Sequence, residues 1–272
     1  MTSRDGQIDR GSDLALRLLS AAVLIPFGLF VVWQGELYLL VGCALFAALM
    51  SYEWVRMSVS PSMTIFVTLS VVPFVVLIFA GALFALLALA ICAILAAGLH
   101  PLGKSRPLQG FGLLYISGMA LSLFLLRDGE WDGAAAALIF MSIVWGSDAA
   151  AYFIGRRIGG PSLHPDSPSK TWSGAIGGLI FSTLCGLLAA RVTGGDPLVW
   201  LVTGFAISVF AQFGDLFESS IKRHFGVKDA SGILPGHGGI MDRVDGLGFV
   251  CVFAVLMLTL IPGYSEVLGL AQ

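Results

Sequence analysis

The chain has 272 residues, 57% of them hydrophobic and 12% charged, with a formal net charge of −2 and a mean hydropathy of +0.91. A water-soluble domain carries about 25% charged residues, and half that share removes the surface a globular protein needs in water. A soluble protein with a large core fails on the length of the apolar segments. The small net charge says little about partners, because the placement of the charges matters more than their sum; no nucleic-acid partner is expected.

In chain order, a mixed-charge stretch (Arg4, Asp5, Asp9, Arg10, Asp13) precedes an apolar run. That run is too long for a signal-peptide core and lacks a small-residue cleavage site, so it reads as a retained first span. About 20 apolar residues cross roughly 30 Å of hydrocarbon. Segments that meet this length fall at 14–33, 36–52, 63–80, 81–98, 110–126, 133–154, 173–193, 197–217 and 246–263. The expected fold is therefore all-α, a polytopic transmembrane helical bundle of about nine spans. The weakest division is between 63–80 and 81–98, where only Gly81 and the apolar residues before it mark a turn. With the N-terminus inside, 13 of the 15 basic residues fall in cytoplasmic segments, leaving Arg127 and Arg191 outside. Basic loops resist translocation, so the expected topology is N-in, C-out. Trp33, Trp54, Trp131, Trp172 and Trp200 stand at or near span ends, as an aromatic belt would place them. Cys43, Cys92, Cys185 and Cys251 have no metal-ligand spacing and read as small buried hydrophobes.

Residues 1–132 are mostly apolar spans with short loops, a transmembrane scaffold. Residues 133–272 hold two longer polar loops on the cytoplasmic side and most of the ionisable groups, and form the expected catalytic region. Its first polar stretch runs from Trp145-Gly146-Ser147-Asp148 to Ser167-Pro168-Ser169-Lys170-Thr171-Trp172. A carboxylate such as Asp148 inside an apolar span needs a partner or water; the plainer reading is a structural partner for an arginine. Arg156 and Arg157 at the span end are equally well placed to snorkel to headgroups or to meet substrate.

The second stretch is richer. Asp215 and Glu218 are three apart, as are Asp242 and Asp245, which on a helix puts each pair on one face. Paired carboxylates at a membrane boundary repel unless a cation sits between them, and oxygen-rich clusters suit Mg²⁺ beside substrate phosphates. Lys222, Arg223, Lys228 and Arg243 add four cations to the same loop. Gly236, Gly238 and Gly239 flank His237 and permit close backbone approach, with a helix expected just after them. N–H groups at a helix start favour anions. Carboxylates for metal, with cations and N–H groups for phosphate, point to phosphoryl transfer. A self-balancing loop that binds anionic lipid is the plainer reading of any one of these residues, but lipid attraction has no use for paired carboxylates. His237 reads as a phosphate-positioning or loop-organising group rather than a general base, since a phosphate monoester is already largely ionised at pH 7.

The run from Ser219 to Asp245 resembles the signature of the phosphatidate cytidylyltransferase (CDP-diacylglycerol synthase) family. The matching positions are Ser219, Lys222, Arg223, Lys228, Asp229, Pro235, His237, Gly238, Gly239, Asp242, Arg243 and Asp245. Gly214-Asp215 and Ser167 to Trp172 followed by Gly174 also fit, so the motif-level likeness covers roughly residues 144–248. One departure is Ala149, where relatives often carry a hydroxyl.

The resemblance implies an enzyme that makes CDP-diacylglycerol and pyrophosphate from phosphatidate and CTP. It implies a homodimer with a polar cavity that faces the cytoplasm; the short loops, without large soluble domains, suggest a bacterial plasma (inner) membrane. Asp215, Asp242 and Asp245 would hold Mg²⁺ and a monovalent cation such as K⁺. Lys222, Arg223, Lys228, Asp229 and His237 would complete the catalytic set, with Asp148, Ser167, Lys170, Ser219, Gly238, Gly239 and Arg243 binding substrate. Two other readings stand beside it: a CTP-dependent polyprenol or dolichol kinase, which would release CDP, and a cation-coupled transporter, which would carry charges near the middle of several spans.

Overall fold

A computed structural model describes residues 25–58, 62–99, 106–233 and 238–271. The chain is a helical bundle: α1 (Ile25–Gln34), α2 (Glu36–Ser58), α3 (Met63–Ala80), α4 (Ala82–Leu99), α5 (Arg106–Arg127), α6 (Gly133–Ile158), α7 (Trp172–Thr193), α8 (Pro197–His224), α9 (Met241–Leu260) and the short α10 (Tyr264–Val267). Among the described residues, seven helices are long and apolar enough to cross a membrane, and α1 and α4 supply two shorter apolar helices. The weakest expected division holds, since Gly81 alone separates α3 from α4, with φ 82° and ψ 179°. Most of the expected first span, 14–33, lies outside the described residues.

One element departs from an all-helical chain. Residues Ser162–His164 (β1) and Ser167–Thr171 (β2) form an antiparallel hairpin, pairing Ser162 with Thr171 and His164 with Ser167. Gly159 and Gly160, both at positive φ, end α6, and the prolines at 161, 165 and 168 prevent a helix from resuming. The tight turn at Pro165-Asp166 then folds the chain back on itself. The hairpin ends where Thr171 caps α7, its Oγ1 accepting from Gly174 N at 3.2 Å.

The helices pack in sequence order from α6 through α9, while α5 joins α9 to α2, α3 and α4. Small residues set the spacing. On α7, Gly174, Gly177, Gly178, Ser182 and Gly186 are buried, whereas Ile176, Ile180, Leu184 and Leu188 repeat every four residues on the exposed face. A Cβ on Gly186 would come within 2.2 Å of the Trp200 carbonyl oxygen on α8, and one on Gly155 within 3.3 Å of Gly174 Cα. Ser182 donates to Gly204 O at 2.6 Å across the same contact. In a bilayer, where lipid tails are as apolar as leucine, such close approach and interhelical bonding hold helices together.

At the opposite end from the polar loops, the C-terminal segment laces the turns. Asp132 N donates to Leu270 O and Asp196 N to Val267 O, each at 2.7 Å, while Tyr264 and Thr203 share a hydrogen bond at 2.6 Å. Asp132 and Asp196 also cap α6 and α8. Here the aromatic-belt expectation needs correction. Trp33 and Trp172 are exposed, but Trp54 and Trp200 are 0% exposed and Trp131 is buried. These three turn inward because each has a seat inside. The indole of Trp54 fills the space left by Gly112, and Trp131 and Trp200 donate to the Leu126 and Leu268 carbonyls at 2.8 and 2.9 Å.

Gly186→Ala is expected to lower the thermal unfolding midpoint in detergent, corresponding to about 1–3 kcal/mol of overpacking. Gly118→Ala is the control, because its Cβ would meet nothing nearer than Leu89 at 3.9 Å; its midpoint should match or exceed that of the unaltered protein.

Candidate active site

The polar loops and the ends of α6, α8 and α9 meet at one end of the bundle. α8 runs 28 residues, seven beyond the expected span, so Asp215, Glu218 and Lys222 are all helical. α9 starts at Met241, which places Asp242 and Asp245 in its first turns. The two helices cross at glycines: a Cβ on Gly214 would stand 3.1 Å from Gly246 Cα, and one on Gly246 would stand 2.9 Å from Asp215 Oδ1. This crossing brings the two carboxylate pairs together.

The result is a row of neighbouring charges. Asp148 on α6 neighbours Asp215, Asp215 neighbours Asp245, and Asp245 and Asp242 both neighbour Glu218. A lysine stands at each end. Lys170, carried in by β2, ion-pairs with Asp215. Lys222 bonds Glu218 at 2.9 Å and Asp242 at 2.6 Å. Five carboxylates thus share two lysines, in a setting where Glu218 is 1% exposed and its Oε1 has no hydrogen-bond partner. Buried charge is costly in a low dielectric unless it is paired, and in this row the acids outnumber the lysines. Among the described residues, no three carboxylate, histidine or cysteine side chains converge to hold an ion as they stand. The lysines occupy the oxygens that would have to turn.

The hairpin is tied to α8 beside this row: Ser220 Oγ donates to Asp166 at 2.7 Å, and Arg223 Nε reaches the Asp166 carbonyl at 3.4 Å. Asp148 has an exposed surface although it lies mid-helix.

Of the expected site residues, Asp148, Lys170, Asp215, Lys222, Asp242 and Asp245 are brought together. Arg223, Lys228, Asp229 and Arg243 are exposed around them. Ser167 and Ser219 are half-buried, on β2 and α8. Gly238, at φ 83°, passes over Asp242, where a Cβ would stand 2.8 Å from Oδ2. His237 lies outside the described residues.

One expectation is overturned. Three N–H groups at the start of α9, those of Gly239, Ile240 and Met241, are not left for a substrate phosphate. Gly239 N donates to Asp242 at 2.8 Å, and Ile240 N and Met241 N donate to Glu53, each at 2.8 Å. The chain's own carboxylates already serve as the anion that a helix start favours. Glu53, on α2, belongs to the segment read as plain scaffold. An acid just past a span end, three residues before Arg56, looks like an interfacial charge. Its partners lie almost two hundred residues away, so local pattern gives no hint of them. Glu218 was visible as the mate of Asp215, but not as the most enclosed member of the row.

The chain is also similar to known proteins along most of its length. A model of the Cytidylyltransferase family matches residues 15–261. The chain belongs to that family. It is 40% identical over 260 residues to proteins named phosphatidate cytidylyltransferase from Brucella suis and Brucella melitensis, covering 91% of this chain and 93% of each relative. A protein of the same name from Staphylococcus saprophyticus is 39% identical over 151 residues, 54% of this chain and 58% of that relative.

Removing Lys222 should strand two buried carboxylates. Lys222→Met is expected to destabilise the substrate-free protein by on the order of 3 kcal/mol, read by thermal unfolding in detergent. Adding Glu218→Gln to that variant should recover part of the loss.

Proposed function

We propose that this protein is a phosphatidate cytidylyltransferase, joining CTP and phosphatidate to give CDP-diacylglycerol and pyrophosphate. The observation that carries the reading is the row of five carboxylates with a lysine at each end, assembled from α6, β2, α8 and α9. It lies in a chain whose relatives of that name match across nine-tenths of its length. A transporter would need charge distributed through several spans, whereas this charge gathers at one end.

In this reading an oxygen of the lipid phosphate bonds to the α-phosphorus of CTP, the bond to the β-phosphate bridging oxygen breaks, and pyrophosphate leaves with that electron pair. Asp215, Asp242 and Asp245 are the residues that would hold Mg²⁺ and a K⁺-like ion; the surplus of acid over lysine and the unpartnered Glu218 oxygen fit that assignment. Bound there, the cations would neutralise the polyphosphate and polarise the reacting phosphorus. Lys170 and Lys222 would turn from the carboxylates they now hold to the phosphates of the substrates. Arg223, Lys228 and Arg243, exposed at the rim, would meet the incoming anions first. Since the N–H groups of Gly239, Ile240 and Met241 are taken, this reading gives phosphate recognition mainly to side chains. With the nine-span, N-in arrangement, the row stands at the cytoplasmic headgroup level of a bacterial plasma membrane, where soluble CTP and a two-chain lipid can both arrive. A homodimer completes this reading by family resemblance.

Purified protein should release pyrophosphate from CTP only with phosphatidate and Mg²⁺ present, and Asp242→Ala should lower the rate by at least ~100-fold. Release of CDP would instead indicate a lipid kinase. For orientation, a cysteine at Lys228 should react with a membrane-impermeant maleimide in inverted vesicles, and one at Glu130 only in right-side-out vesicles; the reverse labelling would overturn the N-in arrangement.

A further inference from the structure

We propose that Glu53 is a positioning residue for this reaction: a carboxylate from α2 that braces the turn carrying Asp242 and so sets the geometry of the carboxylate row.

Glu53 is 0% exposed, and a buried carboxylate persists only where donors surround it. It has three. Oε1 accepts from Ser231 Oγ at 2.5 Å and from Ile240 N at 2.8 Å, and Oε2 accepts from Met241 N at 2.8 Å. Asp242 takes the neighbouring amides, Gly239 N at 2.8 Å and Ala230 N at 3.2 Å. Four backbone N–H groups are thus divided between two acids, one from the far end of the chain and one from the row itself. The amides bound to Glu53 immediately precede Asp242 in sequence, so a shift of Glu53 moves the backbone on which Asp242 stands.

Gly239 shows that the approach is built in. A Cβ there would lie 2.7 Å from Glu53 Oε1 and 2.9 Å from Ala230 Cβ. A side chain at 239 and the Glu53 carboxylate cannot share that space. The signature glycine therefore serves a contact with α2 as well as any contact with substrate. From Asp242 the connection continues through Lys222 to Glu218. Glu53 touches none of the reacting groups and acts only through Asp242.

The proposal rests on the cytidylyltransferase reading for its kinetic consequence but not for its structural one, and the test separates them. Glu53→Gln keeps the volume but faces one backbone donor with an amide N–H. Gly239→Ala attacks the same contact from the other side, and Ser231→Ala removes one bond of three. With full-length protein in detergent, deuterium exchange and steady-state kinetics over Mg²⁺, CTP and phosphatidate would be measured together. Glu53→Gln and Gly239→Ala should raise exchange in peptides spanning 238–243 while the peptides of α6 and α7 stay unchanged. In Glu53→Gln the Mg²⁺ concentration for half-maximal rate should rise roughly tenfold, with KM for phosphatidate within about twofold, and Ser231→Ala should move the same quantities less. Exchange raised evenly over all helices, with the Mg²⁺ requirement of the surviving activity unchanged, would reduce Glu53 to a structural group and overturn the proposal. So would unchanged exchange at 238–243. Localised exchange in the variants, with no pyrophosphate release from any form of the protein, would sustain the brace and overturn the assigned reaction alone.

Discussion

The fold depends on holding concentrated negative charge at one end of an apolar bundle. Asp148, Asp215, Glu218, Asp242 and Asp245 neighbour one another beside Lys170 and Lys222, and a sixth acid, Glu53, is buried close by. Each such group disfavours folding unless donors or cations meet it. The surroundings are organised to provide them. The hairpin exists to deliver Lys170, α8 extends past its apolar span to deliver Lys222, and the first turn of α9 gives its amides to Glu53 and Asp242. A fold selected for stability alone would have no reason to gather six carboxylates there.

The close packing of the second half follows from the same need. Asp215 reaches Asp245 because α8 and α9 approach to backbone contact at Gly214 and Gly246. Gly155 and Gly174 bring α6 against α7, and Gly186 and Gly204 bring α7 against α8. With larger residues at these crossings the helices would be forced apart, and the acids would face lipid singly instead of facing one another. The glycines are thus as much a part of the site as the charges.

Span lengths and the signature residues were legible because each is a local pattern. An apolar run of 18 or more residues has few other uses, and acids at i, i+3 announce a shared helix face by their spacing alone. The hairpin was legible only as a helix-free stretch, since proline and glycine say where a helix stops without saying what replaces it. Trp54 misled because position along a span does not fix which way a side chain turns; Gly112, on another helix, decides that. Glu53 was hidden more deeply, its role being defined wholly by residues in a distant part of the chain. The free N–H groups inferred at the start of α9 failed for the same reason, because occupancy of a donor is a tertiary fact.

That failure alters how the site handles phosphate. An open helix start offers neutral N–H donors with little charge of their own, and would suit an anion that stays bound. Here those donors are spent on the protein's own acids, and the cations nearby are lysines at 170 and 222 that already hold carboxylates, with Arg223, Lys228 and Arg243 exposed around them. In the proposed reaction, each of the two lysines would give up a carboxylate for a phosphate only if another cation took the vacated acid. The Glu53 brace fits this scheme, since partners can exchange cleanly only if the backbone beneath Asp242 holds still.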